Sequence, residues 1–427
     1  MTDEIRTIPP KLTKKEWNSL LDHSLIKEAS YIIYTKTING TQYYYALNGT
    51  TGKIDYGGPN NIGGINGLSF GDVMNIVIAN SGEGVHIYIC KGCYIIDKTI
   101  IIDRRITLVG AGAGAKSTFM DGMAILYLQD NFADNNAFEL RASSGLTNTW
   151  WQIPIFEKLV LYGNKNNQTH QVNCFEQKLW SAVDIQFHYL WFDSWNGHAI
   201  VLRCYYQHRI DTCWFEHFNP DYAAIAIEAY SRGEPSRINI INSYCLDARL
   251  YETLNTEYPV DVNIVDCQFT TDQGIITLHN PIINLEYTET FKIRGCTFNS
   301  CNIAILQSGN TTRSQIITEN TFGGGGYDCL NPIVGDINPN YPSVIRNNRG
   351  YVTESSGTEV GTGNEQPILH GLGYYQNGLV PLRVYLVAND DGMTTLYESQ
   401  NAGSLYIYVT ATNGKKYTWK VEACAWT

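Results

Sequence analysis

The chain has 427 residues, 44% of them hydrophobic, which is enough for a large core and more than one domain and excludes a globally disordered chain. Its net charge of −11 argues against a nucleic-acid binder, a class that needs a basic stripe. No run of about 18 apolar residues occurs, so no helix is expected to span a membrane, and the 29 Tyr and 9 Trp exceed what a core normally absorbs, as sugar-binding faces do.

Residues Thr13 to Ala29 are predicted helical. Thr13 and Glu16 make a capping box, and Trp17, Leu20, Leu21 and Leu25 share one face. With Met1 to Leu12 this reads as an attachment or capping segment, and Met1 to Pro10 carries no apolar stretch of the secretory-signal kind. Tyr31 to Tyr56 then alternates, with turns at Asn39-Gly40 and Asn48-Gly49, the strongest short hairpin signal. Pro59 to Gly67 is a Gly/Asn-rich linker. Ser69 to Asn80 is helical in pattern, placed to cover the open edge of a following sheet.

From Gly84 to Gly114 short alternating runs follow one another across tight corners: Val85, Ile87 and Ile89; Tyr94 and Ile96; Ile100 and Ile102; then Ile106, Leu108 and Gly110. Such strands are too short and too closely spaced for a sandwich and fit the first coils of a right-handed parallel β-helix. The passage resembles the opening segment of the pectin-lyase-like superfamily, V-x-I-x-P-x-G-x-Y, then I-x-I, then L-x-G-x-G, with Cys90 where that family often has Pro. The resemblance implies the scaffold and leaves the chemistry open, because the scaffold serves lyases, hydrolases and adhesins alike. Cys90 and Cys93 form one C-x-x-C without further ligands at metal spacing. A turn with two thiols, bonded or free, is expected there, with no metal and no cofactor.

The chain then repeats. Phe187–Phe192, Ile210–Phe215, Ile240–Cys245, Ile264–Phe269, Ile293–Phe298 and Ile317–Phe322 align without gaps. Second strands are predicted at Ala199–Leu202, Ile225–Ile227, Ile275–Leu278 and Ile303–Leu306. The fourth position of the motif, Leu190, Cys213, Ser243, Cys267, Cys296 and Asn320, is expected to stack as an internal ladder, so these Cys are packing groups. Phe322 to Pro342 breaks the pattern and reads as the end of the solenoid; Ser355 to Gly363 reads as a linker. Strands at Val380–Val387, Thr394–Glu398, Ser404–Ala411 and Lys416–Ala423 make a small sandwich-like domain. Through E-Q-P-I-L-H-G-L-G, L-Y-I-Y-V-T-A and Y-T-W-K it is similar to the terminal β-domains of phage and archaeal-virus spikes, which implies trimerisation or host binding. The expected division is an all-β chain of three parts: 1–67 helix and hairpin, 68–355 parallel β-helix, 356–427 terminal β-domain.

A solenoid has no closed pocket, and its sites form on lateral faces where equivalent positions stand about 4.8 Å apart. W-F-D and W-F-E coincide in two coils, so Asp193 and Glu216 should be stacked neighbours with Trp191 over Trp214. Two carboxylates one coil apart suit a retaining glycosidase, whereas an inverting pair would need Asp193 with Asp221 or Asp247. Trp191, Trp195, Trp214, His217, Asp221 and Tyr222 are the expected sugar contacts. The competing reading is solvated carboxylates and lateral packing. The lyase set of calcium carboxylates and an Arg base does not map onto these coils. The expectation is a virion spike or fibre that recognises a host-surface polysaccharide or glycoprotein, with or without depolymerase activity. A homotrimer docked to other virion proteins through its N-terminal segment is expected. The alternatives are an extracellular polysaccharide hydrolase or lyase, and a purely structural virion component.

Overall fold

The structure, a computed structural model, describes residues 29–112, 123–141, 153–178, 184–203, 207–228, 237–254, 260–270, 281–286, 288–308, 314–323, 329–335, 343–349, 354–369, 382–398 and 406–423. The helix expected at 13–29 and the strand expected at 275–278 lie outside these residues, except for Ala29. Two compact units make up the chain, Met1–Leu250 and Tyr251–Thr427. No helix among the described residues is long and apolar enough to cross a membrane.

The first unit opens with the antiparallel hairpin β1 (Tyr31–Ile38) and β2 (Thr41–Asn48), to which β3 (Ile54–Gly57) adds. Its turn is Asn39-Gly40, both residues at positive φ, as the sequence signal requires. Helix α1 (Phe70–Asn80) comes next; Ser69 caps it by accepting from the Asp72 amide at 3.0 Å. Three strands then make one coil: β4 (Val85–Ile89), β5 (Gly92–Ile96) and β6 (Ile100–Ile102). Each founds a parallel sheet that grows by one strand per coil. Sheet A continues from β4 through Ile106–Gly110, Ile155–Glu157, Gln186–His188, Gln207–Asp211 and Arg237–Ile241. Sheet B continues from β5 through Ala124–Leu128, Val160–Tyr162, Trp191–Asp193, Trp214–Glu216 and Tyr244–Leu246. Sheet C continues from β6 through Asn136–Leu140, Asn173–Gln177, Ile200–Arg203 and Ala223–Glu228. This is a parallel β-helix, as the repeat predicted.

The first coil exposes sheet edges, and the preceding segment covers them. β1 pairs in parallel with β4. Tyr44 Oη accepts from the Ile95 amide at 3.1 Å, and Asn75 of α1 donates to Thr99 O and accepts from the Ile101 amide. The edge of each founding strand is therefore met by main chain or by side chains.

Inward positions carry the core. Phe138 stacks on Phe175, Phe156 on Phe187, and Phe192 on Phe215, at 4.5, 5.3 and 5.2 Å between ring centres. The corner between sheets A and B is one residue in the left-handed region, Lys158, Tyr189, Thr212 or Asn242, then one inward residue, Leu159, Leu190, Cys213 or Ser243. These are the predicted ladder positions, and the Cys213 amide donates to Ser243 Oγ at 3.3 Å.

The second unit repeats this geometry in Val260–Val265, Thr288–Arg294, Ser314–Thr318 and Ser343–Arg346 of sheet A. Its ladder runs Cys267, Cys296, Asn320, Asn348; Asn320 accepts from the Cys296 amide at 2.9 Å and donates to Ile293 O at 3.0 Å. The stretch Phe322–Pro342, read as a break in the pattern at the end of the solenoid, contains a further strand of it. Cys329–Gly335 pairs in parallel with Cys301–Ser308, and Ser343–Arg346 with Ser314–Thr318. Pro332 hid this strand from sequence reading; it is tolerated because Cys329–Gly335 lies at the edge of its sheet.

Two three-stranded antiparallel sheets close the chain. Glu354–Val360, Lys416–Ala423 and Leu382–Ala388 form one, and Glu365–Leu369, Tyr406–Ala411 and Leu396–Glu398 the other. Ile368, Ile407, Val409, Tyr417, Trp419 and Val421 fill the space between them, so this is a small sandwich. The segment read as a Gly/Ser/Thr linker is mostly the strand Glu354–Val360. Its small residues have a packing reason: a Cβ on Gly357 would lie 2.8 Å from the Trp419 indole.

Candidate functional site

Sheet B positions the site. Trp191, Trp214 and Tyr244 are register partners on successive strands, as are Phe192, Phe215 and Cys245, and Asp193, Glu216 and Leu246. The middle row points inward, where Phe192 stacks on Phe215 and meets Phe175 edge-on. Period-two alternation therefore turns the outer rows away from the core. Trp191 and Trp214 lie 5.8 Å apart, and Trp214 and Tyr244 also 5.8 Å.

Asp193 and Glu216 stand side by side on the outer face, yet they are only 5% and 3% exposed. A carboxylate held that far from water needs compensation. The corner after sheet B supplies it. Ser194, His217 and Asp247 each sit in the left-handed region, which sends the chain sharply out of the strand. His217 Nδ1 reaches back one coil to Asp193 Oδ1 at 2.9 Å, and Ser194 Oγ donates to the same oxygen at 2.8 Å. In the tautomer with the proton on Nδ1, His217 donates to Asp193 and leaves Nε2 as an acceptor. The His217 side chain is 29% exposed and is the open part of the cluster.

Lys165 completes the surroundings, and sequence reading missed it. It opens a short 3-10 turn, Lys165–Asn167, and its ammonium donates to the carbonyls of His217 and Phe218. Burial pushes its pKa below the ordinary lysine value, opposed by the charges of Asp193 and Asp247. Its signal was present: Phe156–Leu161 fits the aligned motif, with Leu161 where later coils have Phe. That coil, once aligned, would have brought Lys165 to the same corner.

The other expected contacts are dispersed. Trp195 is fully buried, and its indole N–H donates to Leu161 O at 2.9 Å. It packs against Gly163, where any Cβ would lie 2.5 Å from the indole ring, so Trp195 is a core residue and offers no face to a ligand. Trp191 is also almost fully covered, in a cluster with Met123 and Val160, which leaves half-buried Trp214 as the accessible indole of the row. Asp221 is exposed, and its carbonyl accepts from Arg249 at 3.3 Å. Tyr222 stands edge-on to His198 at 5.3 Å.

One ligand atom from each of Asp193, Glu216 and His217 lies within 4.8 Å of the other two. Two oxygens and a ring nitrogen at that spacing could hold a divalent cation, or could pass protons among themselves. Cys90 and Cys93 are both free thiols, one buried and one exposed.

Fold and site together define a parallel β-helix protein with a recessed carboxylate–histidine cluster and an aromatic row on one lateral face. No protein-family model matches the sequence, and no curated protein matches it. Among solved structures the chain is similar to the A-module of the mannuronan C-5 epimerase AlgE6 of Azotobacter vinelandii. Identity is 12%, over 66% of this chain and 95% of that one, with a TM-score of 0.28. So loose a likeness carries no argument, and the architecture rests on the strand pairing itself.

Proposed function

We propose that this protein binds a polysaccharide along the outer face of sheet B, with Trp214 as the principal stacking surface. The Asp193–His217–Glu216 cluster serves as the polar centre beside it. The observation that carries the reading is the register that sets the row Trp191, Trp214, Tyr244 directly beside the row Asp193, Glu216. Sugars need that combination: apolar faces for their C–H groups and acceptors for their hydroxyls. The setting we propose is attachment to a host-surface polysaccharide by a virus-type spike; the order of hairpin, solenoid and terminal sandwich supports it.

A second reading, cleavage of the bound polymer, is favoured by the carboxylate spacing. Oxygens of Asp193 and Glu216 approach within 4.8 Å, closer than the roughly 6.5–9.5 Å of an inverting pair. A cleaving enzyme would then retain configuration, with Asp193, oriented by His217 and Ser194, as nucleophile and Glu216 as acid/base.

The test is incubation of the purified protein with a panel of surface polysaccharides, reading retention, new reducing ends and the ultraviolet absorbance of unsaturated products. Saturable retention on one polymer, weakened about tenfold or more by Trp214→Ala, is expected. New reducing ends lost in both Asp193→Asn and Glu216→Gln, with retention kept, would add hydrolysis. Unsaturated products would replace the carboxylate mechanism with elimination. Neither retention nor cleavage would overturn the proposal and leave a structural rod.

A further inference from the structure

In the second unit, Cys301 and Cys329 occupy directly paired positions on adjacent parallel strands of sheet C. The pairing continues through Ile303 with Asn331 and Ile305 with Ile333, so the register that holds the two thiols face to face is fixed beyond the cysteines themselves. Their sulfurs lie 3.1 Å apart, with Cys301 Sγ donating to Cys329 Sγ. Parallel neighbours stand about 4.8 Å apart, inside the roughly 4.4–6.8 Å Cα window of a disulfide, so bond formation needs about 1 Å of sulfur movement. The ladder cysteines differ. Cys267 and Cys296 donate to the carbonyls of Val265 and Arg294, at 3.4 and 3.5 Å, and act as packing groups.

We infer that Cys301 and Cys329 form a redox-sensitive staple, closing to a disulfide between two successive coils when a disulfide-exchanging oxidant is present. The chemistry balances by thiol exchange. One thiolate attacks a small disulfide R–S–S–R, forming a mixed disulfide and expelling RS⁻. The second thiolate attacks the mixed disulfide and expels the other RS⁻. The two cysteines lose two protons and two electrons, and the reagent is reduced to two thiols. The neighbouring thiol and burial both hold Cys329 protonated, so exchange is slow at neutral pH and quickens as pH rises.

Position gives the staple its purpose. Among the described residues Cys329–Gly335 is the edge strand of sheet C, with Cys301–Ser308 its one strand neighbour there. A covalent link there ties the edge strand of sheet C to the strand before it.

The full chain is treated with oxidised glutathione at mildly alkaline pH, quenched by alkylation, and mapped as peptides under non-reducing conditions. The expected product is a cross-linked 301–329 peptide pair, two hydrogens lighter than the reduced pair. A Tm rise of roughly 5–10 °C should accompany it and be reversed by dithiothreitol. Cys329→Ser, which needs no new packing, should remove both the cross-link and the rise. Persistent glutathione adducts on either cysteine, alkylation of both after oxidation, or a cross-link to another cysteine would overturn the inference. The peptide map of the unmutated protein decides this even where a variant fails to fold.

Discussion

His208 is fully buried in the first unit, accepting from the Ile185 amide at 3.2 Å through Nδ1, with no hydrogen-bond partner at Nε2 among the described residues. Burial lowers its pKa from 6.5 to about 4. Above pH 6.5 the ring is neutral in folded and unfolded chains alike. As pH falls from 6.5 towards 4 the unfolded chain takes up a proton that the folded chain refuses, so stability drops by about 3 kcal/mol across that window. Urea midpoints at pH 7 and pH 4.5 should therefore differ markedly, and His208→Gln should flatten the difference. Gly163→Ala tests the reassigned Trp195: the new methyl collides with its indole and main chain, costing about 1–3 kcal/mol by thermal denaturation. The pairing of Asp193 with Glu216 was legible from W-F-D and W-F-E, because one register fixes both rows. The His217 contact was not, because a left-handed corner residue throws its side chain onto the preceding coil and a linear alignment carries no such direction; Lys165 was legible only once the coil of Phe156–Leu161 is aligned with the rest.

At the level of strands and corners, alternation and the gapless motif were enough to locate the coils and the ladder. Failures came where backbone pairing overrode composition. Glu354–Val360 lacks the apolar alternation of a strand and is one because its neighbour Lys416–Ala423 offers a full edge. Cys329–Gly335 contains Pro332, which masks a strand in the sequence, although an edge strand can spare that donor. The ladder allows a quantitative check. Asn320 is 1% exposed and satisfies both the Cys296 amide and the Ile293 carbonyl, so Asn320→Ala strands two buried polar groups. A loss of about 2–4 kcal/mol is expected in denaturant unfolding, against about 1 kcal/mol for Ser69→Ala at the cap of α1.

For the molecule as a whole, the spike proposal includes a homotrimer, and light scattering decides it: three times the 48.0 kDa chain mass supports the assembly, a single chain mass removes it. The aligned corners of the first unit have another consequence. Gln186 and Arg209 are register partners on successive coils, so the repeat between them is residues 186–208 in sequence. A second copy of residues 186–208, inserted after His208, would keep the register of each sheet and displace the later coils of the unit by about 4.8 Å. It would also present Trp191 and Asp193 twice. Chain length in such a protein comes in whole increments, and the reach of the aromatic row along a polymer becomes a matter of copy number, open to change by duplication of a coil.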